Sequence, residues 1–109
     1  MFRPWYYYGD LRYAGRTFHF VFRFVYTATA GWRAFIDEAP RYEGRSEGAG
    51  PTHRLIDNGR HYICWSTRVD SKSAMESIAD LWAKATVMYI VHGGSSITDY
   101  VTRIQAGNS

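Results

Sequence analysis

A chain of 109 residues with a 46% hydrophobic share is long enough to bury one core, which excludes wholesale disorder. Its net charge of +3 carries no run of like charges, so it permits an acidic or nucleic-acid partner and demands neither. The single cysteine, Cys64, excludes an internal disulfide framework, and no apolar run approaches the roughly 20 residues of a membrane span.

The first residues, MFRPWYYYGD, contain no apolar stretch of signal-peptide type, so the expected setting is cytoplasmic, with no membrane partner. Aromatic residues make up 17% of the chain, and arginine outweighs lysine heavily, with only Lys72 and Lys84 of the latter. Arginine enrichment has two readings: a codon bias toward Arg, or planar guanidinium groups selected to stack on rings and grip carboxylates.

Trp5–Tyr8 and Asp10–Tyr13 read as short aromatic strands interrupted by Gly9. Ala14-Gly15 has the composition of a two-residue turn. The next segment, Thr17 to Thr27, is the most patterned in the chain. Phe18, Phe20, Phe22, Phe24 and Tyr26 alternate with His19, Val21, Arg23 and Val25, which on a strand gathers five rings on one face. That wall is expected to form core under a helix, since an unbroken apolar stripe is usually buried. Gly31 marks a turn before a strand over Trp32–Ile36, and Pro40 closes the meander.

Residues 41–51, RYEGRSEGAGP, lack a hydrophobic period and hold Gly44, Gly48 and Gly50, so they read as a flexible loop. Asn58-Gly59 between THRLID and RHYICWS is a type I′ hairpin signal. A long helix is expected to start near Asp70 or Ser73, with Ser73 and Glu76 at capping-box spacing. Met75, Ile78, Trp82, Ala85 and Tyr89 supply its apolar stripe, and His92 with Gly93-Gly94 supplies the stop. Ser96 can cap a short final helix over Ile97–Ile104, and residues 106–109 read as a frayed tail.

This order predicts the α+β class: an antiparallel sheet of about five strands, a meander plus the Asn-Gly hairpin, with one long C-terminal helix on one face. Residues 1–109 are expected to form one small domain. A helix about 10 Å across cannot cover both faces of a sheet roughly 20 Å wide. The second face is then open, closed by curvature or covered by a partner, which admits a homodimer.

Few patterns point to chemistry. Arg16, Phe18, Phe20 and Val21 match residue types of the RNP1 signature of RRM domains. Thr17 stands where that signature has glycine, however, Arg23 where it has a second ring, and no helix follows the first strand. His61 and Cys64 are three positions apart on one hairpin arm, so a regular strand points them to opposite faces, against a zinc site or a nucleophilic pair. No GxSxG, HExxH or phosphate-loop motif occurs. The expectation is a non-catalytic chain without metal or cofactor.

Two functional readings remain. One is a protein-interaction module binding an unidentified partner through Tyr6, Tyr8, Tyr13, Arg41, Tyr42 and Arg45, aromatic and arginine side chains in segments that a helix covers least. By size class alone this extends to a small phage or mobile-element inhibitor or regulator of a host machine. The alternative is a single-stranded nucleic-acid binder in which Arg12, Arg16, Arg23 and Arg33 contact phosphates around exposed rings.

Overall fold

The computed structural model describes residues 5–107, with side chains from residue 9 onward. Three strands open the chain: β1 (Trp5–Tyr13), β2 (Arg16–Thr27) and β3 (Gly31–Glu38). A short helical turn α1 (Ala49–Thr52) precedes a hairpin of β4 (Arg54–Asp57) and β5 (Arg60–Ile63). Helices α2 (Lys72–His92) and α3 (Thr98–Gln105) complete the α+β fold. The five strands are antiparallel in the order β1-β2-β3-β5-β4.

The two hairpin turns follow from backbone chemistry. Ala14 and Gly15, at φ 52° and 75°, and Asn58 and Gly59, at φ 55° and 80°, hold the paired left-handed conformations of a type I′ turn. Gly9 does not interrupt β1, because pairing opposite Phe20 keeps its backbone in the ladder. Gly31 has a different duty. A Cβ there would stand 2.4 Å from the Val69 carbonyl oxygen, so only glycine lets the chain before α2 cross the start of β3.

The aromatic wall is core. Phe18, Phe20, Phe22 and Phe24 are all buried, and the rings of Phe20 and Phe22 meet the Trp82 ring edge-on at 6.1 and 5.9 Å. Each buried phenylalanine contributes about 2 kcal/mol through apolar area removed from water. The wall ends at Tyr26, which is partly exposed beside Trp32.

Helix α2 has its N-cap two residues earlier than the Ser73–Glu76 spacing predicts. Ser71 is the N-cap, its hydroxyl accepting from the Ala74 amide at 3.1 Å, while Glu76 pairs with Lys72 one turn back. From Trp82 to Ile90 the helix is buried on more than its sheet side, including Ala83, Thr86 and Val87. The segment 41–51, expected to be a flexible loop, and Thr52 just beyond it also anchor on α2. Tyr89 donates to the Ser46 carbonyl at 2.8 Å, and the Trp82 indole donates to the Thr52 carbonyl at 2.9 Å. The loop lacks a hydrophobic period because it packs through single anchors rather than as a repeating element. Residues 108–109 of the expected frayed tail lie outside the described residues.

Candidate partner-binding surface

Of the expected contact set, Tyr13, Tyr42 and Arg45 all meet the C-terminal part of α2, where they serve as structural contacts. The side chains of Tyr6 and Tyr8 lie outside the described residues; their backbone pairs with Arg23 and Val21. Tyr13 is half-buried, with its hydroxyl 2.6 Å from His92 Nε2 at the end of α2. Arg41 is exposed. Tyr42 is not a surface ring: it is 4% exposed and meets Tyr89 edge-on at 6.1 Å. Burial disfavours its phenolate and pushes its pKa up to about 12. Arg45 is also structural. Its Nε and Nη2 donate to the Ile90 and Val91 carbonyls at 3.0 and 3.2 Å, satisfying acceptors that the end of a helix leaves free.

The phosphate-contact set has partners of its own. Arg12 donates to Thr17 Oγ1 at 3.0 Å. Arg16 pairs with Glu43 and, by that hydrogen bond first, lowers the Glu43 pKa. Arg23 and Arg33 lie on the sheet face away from α2, where they build a closed ladder. Arg23 sits 4.8 Å over Phe35 and pairs with Asp37 at 3.2 Å, with only 12% of its side chain exposed. Arg33 sits 4.4 Å over Tyr62 and pairs with Asp57 at 3.1 Å. The Phe35 and Tyr62 rings are 5.6 Å apart, joining the two halves. Stacked guanidinium groups with carboxylates at their other side cover the second face with the chain's own side chains and neutralise it locally.

What remains exposed lies elsewhere. Leu55 and Ile56 on β4 are 42% and 62% exposed, and Trp65, just beyond β5, is 42% exposed. Leu55 and Trp65 border one cleft, and Leu55 and Ile56 border the next, so the three flank the β4–β5 corner, Leu55 and Ile56 from opposite faces of the sheet. Among the described residues, strand β4 is the last in the sheet and has β5 as its one strand neighbour. Its outer edge therefore offers backbone donors and acceptors beside apolar side chains. Beside them, His61 has its pKa lowered, first by partial burial and then by the nearby Arg54 charge.

The sequence reading missed this corner, although a signal was present. Adjacent residues on a strand point to opposite faces, so the Leu55-Ile56 pair must place one apolar side chain off the core. Among the described residues, no three His, Cys, Asp or Glu side chains group closely enough to hold a metal ion. No described helix is long and apolar enough to cross a membrane. Compared with known proteins, the chain matches no family model, no curated protein and no solved structure.

Proposed function

We propose that the chain is a non-catalytic protein-interaction module, an inhibitor or regulator acting by occupancy in the cytoplasm, and that it docks its partner protein on the β4–β5 corner. One observation carries this reading. Three large apolar side chains, Leu55, Ile56 and Trp65, stand exposed around a strand edge that no other described strand pairs. Apolar surface clustered in this way is what association removes from water, and an open edge strand adds backbone hydrogen bonds that fix register. Single-stranded nucleic-acid binding has less support. Arg16, Arg23 and Arg33 each face a carboxylate, so contacting a phosphate would first break an ion pair.

The test places a photo-crosslinking benzoylphenylalanine at Leu55 or Ile56, with Lys84 on the exposed side of α2 as control. The expected result is one adduct mass shared by positions 55 and 56 and missing at 84. The Leu55→Ser/Ile56→Ser double variant should then weaken binding to that partner at least about tenfold with an unchanged melting temperature. An adduct of twice the chain mass reassigns the corner to a homodimer. Equal crosslinking at position 84, or none at the corner, removes the reading.

A further inference from the structure

A second feature, which shares Trp65 with the β4–β5 corner, lies between α2, α3 and the segment that follows β5. Leu81 and Trp82 of α2 and Val101 of α3 wall a cleft of about 200 Å³, which Cys64 and Trp65 bound on another side. His53 and Thr98 also line it, with His53 Nε2 2.6 Å from Thr98 Oγ1. No Asp, Glu, Lys or Arg contributes to the walls.

Size, shape and charge each restrict what such a cleft takes. An apolar cavity of about 150 Å³ accommodates benzene, so the larger volume here suits a fused bicyclic ring. Trp65, 42% exposed, offers ring surface for aromatic pairing, while Trp82 lines the cleft from the core. A charged ligand would give up its hydration without meeting a counter-charge, which selects a neutral one. The Thr98 hydroxyl also accepts from Ser96 Oγ at 3.0 Å, which leaves one position free among its one donor and two acceptors, and the His53 imidazole has a second nitrogen. We propose that this cleft is a binding site for a compact, neutral aromatic molecule of indole size whose one hydrogen-bonding group meets His53 and Thr98.

Cys64 is the sole cysteine of the chain and lines the cleft, so its alkylation reports occupancy. With indole as the probe, saturation is expected to slow iodoacetamide modification of Cys64 at least about fivefold, as mass action on an occupied site requires. Amide resonances of Cys64, Thr98 and Val101 should shift along the same titration. Indole-3-carboxylate should protect Cys64 at least about tenfold more weakly at equal concentration, because its charge has no partner in the cleft. The Val101→Trp variant fills the cleft and should abolish protection. No protection and no shift up to the solubility limit of indole overturns the proposal. Protection undiminished in Val101→Trp does the same, as does equal protection by the carboxylate. Should that variant fail to fold, the wild-type shifts decide alone: confined to the cleft they support the site, and spread elsewhere they overturn it.

Discussion

Tyr42 belongs to the core although its neighbours in sequence are those of a surface loop. Its hydroxyl is buried without a hydrogen-bond partner, so Tyr42→Phe removes an unsatisfied polar atom at little cost in packing. Stability in urea should be unchanged or slightly higher at pH 7. The pH dependence follows from the raised pKa. A folded value of about 12 against an ordinary 10.0 means that the folded chain holds the phenolic proton more tightly. Its contribution is complete below pH 10 and is lost as pH rises toward 12, amounting to about 2–3 kcal/mol. Urea midpoints measured from pH 9 upward should therefore fall more steeply for the wild type than for Tyr42→Phe; parallel curves would return this ring to solvent. Trp82 is the contrasting residue, since it fills volume and also donates to the Thr52 carbonyl. Trp82→Ala should cost about 3–5 kcal/mol, and Trp82→Phe should recover part of that while leaving the carbonyl unpaired.

At the level of elements, the start of α2 separates two serines that sequence spacing confuses. Ser71 carries the cap hydrogen bond, so Ser71→Ala should lose about 1 kcal/mol in a thermal or urea transition, whereas Ser73→Ala should stay close to wild type. The reverse order would restore the capping box at Ser73 and Glu76. Gly59 and Gly31 make a second contrast. Both have positive φ, but a Cβ at Gly59 meets open space, while at Gly31 it strikes the Val69 backbone. Gly59→Ala should cost about 1 kcal/mol, from backbone conformation alone. Gly31→Ala should cost clearly more, because the Trp32 amide also donates to the Val69 carbonyl at 2.8 Å and that crossing must shift.

Across the whole molecule, one helix with its loop and α3 covers one face of the sheet, and the arginine–aromatic ladder covers much of the other. Among the described side chains, the exposed Leu55, Ile56 and Trp65 lie at the β4–β5 end of the sheet. This is why the Leu55→Ser/Ile56→Ser variant is expected to leave the melting temperature unchanged. The same placement predicts that Arg33→Gln frees Asp57 and uncovers Tyr62, changing the exposed corner's surroundings. A stability loss of about 1 kcal/mol or less, read in urea, fits a partly exposed ion pair and stack.

Local rules of the chain were enough for much of the fold. The alternation of Phe18 to Phe24, the Asn58-Gly59 turn and the stripe from Met75 to Tyr89 each act through neighbours in sequence, so strand, hairpin and helix were legible along with the α+β class. Which side chains remain outside is set by contacts between distant segments. Tyr42 was drawn in against Tyr89 of α2, and Arg45 was held by carbonyl acceptors at the end of that helix. Arg23 found a carboxylate on the neighbouring β3 and Arg33 one on β4, beyond β5, while Leu55, Ile56 and Trp65 were left exposed at the β4–β5 end. Composition determined by itself that rings and guanidinium groups would be plentiful. Their division between core, ladder and surface waited for the tertiary structure, because burial depends on which segments meet.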